Sequence, residues 1–484
     1  MDSLKDKTAK GLVWKLVEKL STFGITYVFG ILMARILMPA DYGLVGMIGI
    51  FLAVSQTFID SGFATALIRK VDRTQTDLST VFYFSNIAGL FFYLILWFCA
   101  PLIADFYDQP MLTPITRAMG LTLIFGSLAG IQSVKLNIDL DFKTLAKVSV
   151  SCNVIGSIAG YAMARAGFGV WAIVGQILVG RILSTALLWI LGRWIPAWVF
   201  SWKSFKELFS FGSKLLASAL LDTIYNNLYP IIIGKVFSAK SLGYYSQASG
   251  LASLPATSLT GMLQQVTFPV LARIQEDREK LCSIYRRFIC LSGFIVFPLL
   301  IGLAVIAKPL ILFMLGERWA QSIIYLELLC FVFMWYPIHA INLNLLQVLG
   351  RSDYFLKLEI IKKVQGVIVL CITVPMGLTA MCVGSIVSSV ICLYYNTYYT
   401  KKLIGYGFFD QMRDLFPILL NCLVMAGIVW VVNLFLPTAF LQTIVGIVVG
   451  GVYYLVSAWV MRWDAMKEAV DMVCRVAGNI HLHR

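Results

Sequence analysis

The chain has 484 residues, 59% of them hydrophobic and only 13% charged, a balance that excludes an ordinary water-soluble domain. Its formal net charge of +14 would point to nucleic acid in a soluble protein. Here the cations collect at every second break between apolar stretches, so the partner they imply is an anionic membrane surface, and nucleic-acid binding is not expected.

Reading apolar stretches of about 20 residues in chain order gives fourteen spans, at 12–34, 42–67, 79–104, 111–135, 145–165, 169–192, 211–234, 244–271, 286–308, 319–349, 355–376, 379–400, 415–436 and 438–461. The Lys-rich start MDSLKDKTAK leads straight into the first span without a small-residue cleavage site, so no removable signal segment is expected. With that start placed inside, all but eight of the 39 Lys and Arg residues fall at the start, in the first turns of span 1 or at inside breaks. The exceptions are Arg35, Arg117, Arg165, Arg181, Lys235, Lys240, Lys308 and Arg318. An even number of spans returns the tail, with Arg462, Lys467, Arg475 and Arg484, to the same side. The expected fold class is an all-α polytopic membrane protein with about fourteen transmembrane helices, both termini inside.

The outside connections are short, and none leaves room for an outside domain: RILMPAD, ADFYDQP, RAGFG, FSAKS, GERWAQ, GL and LPTAF. The longest inside connection, 193–210, mixes Trp194, Trp198, Trp202, Phe205 and Phe209 with Arg193, Lys203 and Lys206, a composition suited to a helix lying among lipid headgroups. It separates an N-terminal lobe, 1–192, from a C-terminal lobe, 211–402, with spans 13 and 14 and a tail in 403–484. The lobes carry a faint internal repeat. ILMARILMPADYG at 31–43 aligns with IIIGKVFSAKSLG at 231–243, pairing Arg35 with Lys235 and Gly43 with Gly243, and PLIADFY from Pro101 aligns with PLILFML from Pro309. Two six-helix lobes in one orientation, around a central cavity, are the architecture such a repeat predicts. Gly126-x-x-x-Gly130, Gly156-x-x-x-Gly160 and Gly446-x-x-x-Gly450 read as close helix packing. Pro230, Pro255, Pro269, Pro298, Pro337 and Pro375 mark places where spans can bend.

No phosphate-cradling G-x-x-x-x-G-K-[ST] loop is present; the nearest fragment, Gly234-Lys235, ends a span. The ten cysteines form no C-x-x-C pair and read as small apolar residues, and His481 and His483 belong to the tail HLHR, so neither a metal nor a cofactor is expected. What remains is a sparse set of ionisable groups at membrane depth, costly unless they face water or one another. Arg181 and Asp222 each lie about twelve residues into a span, near mid-membrane at about 1.5 Å per residue. They read either as a buried ion pair joining the halves or as cavity groups, Arg181 then offering a planar fork to phosphate oxygens. Lys15, Glu18 and Lys19 share a face of span 1, with Asp60 of span 2 at a similar height. They read as a snorkelling local ion pair or as an inward cationic vestibule. Arg117 lies below the outside surface, as an interfacial snorkel or an outer gate. The substrate-binding candidates are thus Arg181, Lys19, Lys15 and Arg117. Asp222, Asp60, Glu18 and His339 are the candidates for ion coupling or gating, with Glu327 and Glu359, nearer span ends, ranked below them.

The stretch ILMARILMPADYGLVGMIGIFLAVSQTFIDSGFATALIRK, continued by DLSTVFYFSNIAGLFFYLILWFCAPLIADFYDQP, resembles the Wzx-type polysaccharide exporters of bacteria. It is most similar to the WzxC-like branch associated with lipopolysaccharide and capsule repeat units. The LAR-L-P-x-D-[YF]-G-L turn, here beginning MAR, and D-S-G-F-x-x-A-L-I carry the likeness. The resemblance implies a fold shared with MATE drug antiporters and the lipid II flippase. It implies flipping of an undecaprenyl-diphosphate-linked oligosaccharide from the cytoplasmic to the periplasmic leaflet of the inner membrane, with H⁺ or Na⁺ and the polysaccharide polymerase machinery as conceivable partners. A MATE-like cation or drug antiporter is the competing transporter; its cavity would favour acidic and aromatic groups. A membrane polymerase or ligase would need a substantial outside loop for its catalytic residues, so an enzyme is not expected.

Overall fold

The computed structural model describes residues 2–60, 62–70, 72–463 and 466, and every regular element among them is helical. In chain order these are α1 (Asp2–Ala34), α2 (Pro39–Asp60), α3 (Phe63–Arg69), α4 (Gln75–Tyr107), α5 (Leu112–Ile138), α6 (Phe142–Arg165), α7 (Val170–Gly192), α8 (Trp202–Asn226) and α9 (Leu228–Ile232), then a π turn (Ile233–Phe237). They continue with α10 (Ala239–Arg273), α11 (Arg278–Val305), α12 (Ala307–Met314), a 3-10 turn (Glu317–Trp319), α13 (Ser322–Phe333), α14 (Tyr336–Val348) and α15 (Ser352–Thr373). A second 3-10 turn (Val374–Met376), α16 (Leu378–Ile404), α17 (Phe408–Leu434) and α18 (Ala439–Val460) complete the series. Lys467, Cys474, Arg475, His481, His483 and Arg484 lie outside the described residues, as do the side chains of Lys5, Lys7, Lys10 and Lys214.

Ten helical segments are long and apolar enough to cross a membrane. The remaining four of the fourteen expected spans coincide with α6, α8, α10 and α15, helices of 24, 25, 35 and 22 residues. Their length suffices, but polar side chains along each one dilute its apolarity, such as Ser149, Asn153 and Ser157 on α6 and Lys357, Glu359, Lys362 and Lys363 on α15. Large apolar side chains point outward elsewhere, among them Phe91, Phe98 and Leu102 on α4 and Leu420, Leu423 and Val431 on α17. In a bilayer these faces meet acyl chains, and the helical ladder satisfies the backbone behind them.

Side chains fix where several helices begin. Thr74 and Asp77 form a reciprocal capping box at the start of α4, and Asp141, Ser201 and Asp277 each accept from the backbone N–H three residues on, at the starts of α6, α8 and α11. Of the six span prolines, Pro230 lies in the short helix after the Asn227 break, Pro337 opens α14, and Pro375 sits in a 3-10 turn, whereas Pro255, Pro269 and Pro298 lie inside continuous helices. Half of the expected bends are therefore real interruptions of the ladder.

The chain divides into two compact units, Met1–Gly243 and Tyr244–Arg484. In the first, α6 packs on α1 and α7, α5 on α4 and α7, and α8 on α2, α3 and α4. Its core gathers Phe63, Leu67, Phe82, Ile131, Trp194 and Leu208.

The 193–210 segment differs from the headgroup helix expected of it. Residues 193–201 run as a non-helical strap, and α8 begins only at Trp202. The strap is tied to polar side chains at the start of α4. Gln75 donates to the Ile195 carbonyl at 2.7 Å and accepts from the Trp194 indole at 2.7 Å, while Ser79 and Thr80 accept from the backbone N–H groups of Ala197 and Ser201 at 2.9 and 3.0 Å. Gln132 donates to the Trp194 carbonyl at 2.7 Å. These bonds replace the helical ladder for a backbone that would otherwise be unpaired at the membrane boundary. Trp194 is buried, whereas Trp198 is 94% exposed and Trp202 60%, so the aromatic character that suggested an interfacial segment survives on one face only. Close by, Lys70 bridges Asp77 at 3.2 Å and Glu207 at 3.1 Å. Burial pulls its pKa down, but the two carboxylates outweigh that and hold it above the ordinary lysine value.

In the second unit, α11 packs on α13 and α17, and α17 on α18. A buried polar triad joins three helices. Tyr285 Oη donates to Asn342 Oδ1 at 2.7 Å, and Gln411 Nε2 donates to Asn342 Oδ1 at 3.1 Å. Arg286 grips Asp414 in a two-pronged ion pair, and Tyr406 Oη donates to the same carboxylate at 2.6 Å. Burial, then that bond, push the Tyr406 hydroxyl above its usual pKa. Because Gln411 still serves Asn342 without the phenol, Tyr285→Phe is expected to cost only about 1 kcal/mol, read as a small fall in melting temperature of the detergent-purified protein.

Candidate functional site

A cavity of about 530 Å³ opens inside the first unit, walled by α2, α3, α4, α5, α6 and α7. Among the described residues that line it, Arg181 is the one cation and Asp60 the one carboxylate. Arg181 lies near the midpoint of α7, and the helix is pinned below it. Thr185 Oγ1 donates to the Phe125 carbonyl at 2.8 Å, and Trp189 Nε1 to the Leu128 carbonyl at 3.0 Å, fastening α7 to α5 one turn apart. Opposite, Gly126 leaves room for the guanidinium: a Cβ there would lie 3.5 Å from Gln56 Oε1 and 4.0 Å from Arg181 Cζ. Asp60 accepts from Gln56 Nε2 at 2.9 Å. The chain turns at Gly62 with φ 69°, and a Cβ there would stand 3.0 Å from Gly212 Cα on α8. The glycine of the Asp-Ser-Gly motif thus serves a left-handed turn and a close helix approach, while its aspartate faces the cavity.

Arg181 and Asp222 are both exposed, and Arg181 lines the cavity. Sequence depth counts residues along one helix and cannot register a cavity between helices. Asp222 lies on α8 beside Thr223, whose hydroxyl is 3.1 Å from that of Thr57 on α2.

The α1 group is placed elsewhere. Lys15 Nζ sits 4.7 Å above the Phe142 ring, Lys19 is exposed, Glu18 is half-buried, and none of the three lines this cavity. Arg117 packs its guanidinium 4.7 Å over Trp97 and donates to the Trp97 carbonyl at 3.4 Å, the contacts of an anchored interfacial arginine. His339, in the second unit, is half-buried between Ser389, 3.1 Å from Nε2, and Asn396, 3.0 Å from Nδ1, so both ring nitrogens are engaged. Glu359 pairs with Lys362 on its own helix.

A search confined to charge passes over the neutral side chains around Arg181. Gln56 holds Asp60, and Ser149, Asn153 and Ser157 on α6, with Gln176 and Ser184 on α7, approach Arg181 from the side of a second, smaller cavity. Their signal was legible: Ser149, Asn153 and Ser157 recur every four residues, and Gln176, Gly180 and Ser184 do the same, which sets each trio on one helix face. A planar guanidinium that faces a cavity can grip an oxyanion through paired N–H donors.

The chain is similar to known proteins over most of its length. Over 304 residues it is 28% identical to the teichuronic acid biosynthesis protein TuaB of Bacillus subtilis (strain 168), covering 62% of each chain and so less than two thirds of that protein's length. It is 25% identical over 366 residues to the lipopolysaccharide biosynthesis protein WzxC of Escherichia coli (strain K12), with 74% of each covered, which bears out the resemblance to the WzxC-like branch. The succinoglycan biosynthesis transport protein ExoT of Rhizobium meliloti (strain 1021) is 24% identical, with 95% of this chain and 94% of that protein covered. Among solved structures, the inward closed lipid II flippase MurJ superposes with a TM-score of 0.76 at 15% identity, over 93% of this chain and 99% of that one. An inward-facing MATE family transporter of the MOP superfamily gives 0.60 at 14% identity, over 81% and 98%. At such identities the likeness establishes the fold, all-α and MATE-like. Residues 32–324 match the family described as polysaccharide biosynthesis protein, and the chain, a multi-pass helical membrane protein, belongs to that family.

Proposed function

We propose that the protein is a flippase that carries an undecaprenyl-diphosphate-linked oligosaccharide from the cytoplasmic to the periplasmic leaflet of the inner membrane by alternating access. The observation that carries this reading is the cavity around Arg181, where one guanidinium faces open space near the middle of a membrane-crossing helix. A diphosphate leaving water loses its hydration, and a fixed planar fork in a low-dielectric cleft replaces part of it. The polyprenyl tail stays in lipid, so the protein needs only to shelter the head group. In this reading both termini lie in the cytoplasm, and the alternating charge sets the orientation. Asp60 beside Arg181 is the first candidate for coupling to H⁺ or Na⁺, with Asp222, Glu18 and His339 behind it; membrane potential offers about 2.3 kcal/mol per charge per 100 mV. The polysaccharide polymerase machinery would receive the product on the far side.

A carboxylate in a cavity of the N-terminal half also fits a MATE-like cation antiporter, so substrate sign decides between the two. Purified protein in liposomes should move a fluorescent polyprenyl-diphosphate oligosaccharide and leave a cationic dye in place; the reverse result assigns the protein to drug antiport. Gly126 gives a second handle. Gly126→Ala meets only ordinary van der Waals contacts and gains helix propensity of roughly 0.5–1 kcal/mol, so stability should rise and transport persist. Gly126→Leu fills the space before the guanidinium and should slow transport about tenfold, a rise of about 1.4 kcal/mol in the barrier.

A further inference from the structure

The smaller cavity, about 360 Å³, lies between α1, α6 and α7 and shares Ser149, Arg181 and Ser184 with the larger one. Its volume falls within the range of about 300–1,000 Å³ usual for small-molecule sites. Among the described residues lining it, Arg181 is the only charged group, and the other polar groups are hydroxyls and carboxamides. They already form a chain: Asn153 Nδ2 donates to Thr26 Oγ1 at 3.0 Å, Ser157 Oγ to Asn153 Oδ1 at 3.3 Å, and Gln176 Nε2 to Ser157 Oγ at 3.3 Å. The last two of these bonds are long, and each carboxamide keeps hydrogen-bonding capacity beyond them.

Interhelical glue is the ordinary role of such a chain in a membrane. Here the helices are already held without it: a Cβ on Gly156 would stand 2.9 Å from the Gln176 carbonyl oxygen and 3.2 Å from Gly180 Cα, so α6 and α7 touch backbone to backbone. With the helices in contact at that point, polar groups meant only to join them would leave no opening, yet these border one. A wall whose groups both donate and accept, without a fixed charge beyond one arginine, matches a ring bearing several hydroxyls, each of which also donates and accepts. It mismatches an acyl chain, which would leave the wall unpaired, and a sugar acid, whose carboxylate would compete with the diphosphate for Arg181.

We propose that this pocket receives the first sugar of the lipid-linked glycan, an uncharged hexopyranose, while Arg181 at the shared rim holds the adjoining diphosphate. The pocket rests on the flippase reading above, and it makes Thr26, Asn153 and Gln176 the residues that select the sugar.

The test measures binding of two kinds of probe to detergent-purified wild type, Gln176→Leu, Thr26→Val and Arg181→Ala. One is a sugarless polyprenyl diphosphate; the others are the same lipid bearing glucose, galactose or an N-acetylhexosamine. Wild type should bind at least one hexose-bearing lipid about tenfold more tightly than the sugarless one. Gln176→Leu and the isosteric Thr26→Val should abolish that preference while keeping wild-type affinity for the sugarless lipid, and Arg181→Ala should weaken both. Equal wild-type affinity for all the probes overturns the pocket, as does a preference that survives Thr26→Val and Gln176→Leu in protein of unchanged melting temperature. If wild type binds none of the lipids, the diphosphate reading falls first and the pocket with it.

Discussion

Arg181→Ala is expected to lower the rate of lipid-linked oligosaccharide translocation about 100-fold, which is about 2.8 kcal/mol at about 1.4 kcal/mol per decade, while the purified protein melts as wild type does. A charge-assisted hydrogen bond contributes about 1.5–3 kcal/mol, and here the partner would be a diphosphate already stripped of much of its water. The fold should not notice the loss. The side chain is exposed to the cavity, and α7 is fastened to α5 through Thr185 and Trp189, independently of the guanidinium. Arg181→Lys keeps the charge but loses the two-pronged fork, so an intermediate defect of about tenfold is expected. Liposome transport run beside thermal melting separates the cases. Wild-type rates in both variants would remove Arg181 from the substrate path, and a collapse of melting in both would recast it as structural.

Gly43→Ala and Gly243→Ala are each expected to destabilise the first unit by about 2 kcal/mol, and together by scarcely more than either alone. A Cβ on Gly43 would lie 1.7 Å from the Ala239 carbonyl oxygen, and one on Gly243 would lie 1.8 Å from the Pro39 carbonyl oxygen. Both neighbours are backbone, so relief requires the starts of α2 and α10 to part. Overpacking of this kind costs about 1–3 kcal/mol or somewhat more, against a gain of up to about 1 kcal/mol from helix propensity. Once the first methyl has separated the helices, the second enters vacated space, and the pair should be strongly sub-additive. Melting temperatures of the two single variants and the double variant test this, each single lowering the midpoint by about 4–8 °C; additive losses would show that the two clashes are relieved separately. The contact is reciprocal, and Gly43 and Gly243 are the residues the faint repeat sets opposite each other.

Much of the fold was open to reading from apolarity alone. Among the described residues each of the fourteen expected stretches is overlapped by helix, and ten helical segments are long and apolar enough to cross a membrane, because a bilayer admits few other backbones. Where the reading strayed, tertiary bonding decided. The tryptophans and lysines of 193–210 have the composition of a headgroup helix, yet Gln75, Ser79 and Thr80, more than a hundred residues away, hold 193–201 out of the helix. No local pattern encodes that. The cavity was legible in half. Arg181 stood out because a charge at mid-span is conspicuous, whereas Gln56, Asn153 and Gln176 are neutral and announce themselves only through spacing. Lys15 and Lys19 share a helix face in the sequence and in the structure, but that face meets Phe142 and solvent, which a single helix cannot reveal.

The strap also imposes an order on the birth of the protein. Ser79 and Thr80 are wholly buried beneath it, yet the residues that satisfy them leave the ribosome more than a hundred positions later. During synthesis α4 must therefore wait at the membrane surface with its polar end open to water, through the delivery of α5, α6 and α7. The seam between α4 and the strap can close only when Ser201 has emerged, so a chain stalled before that point leaves it open.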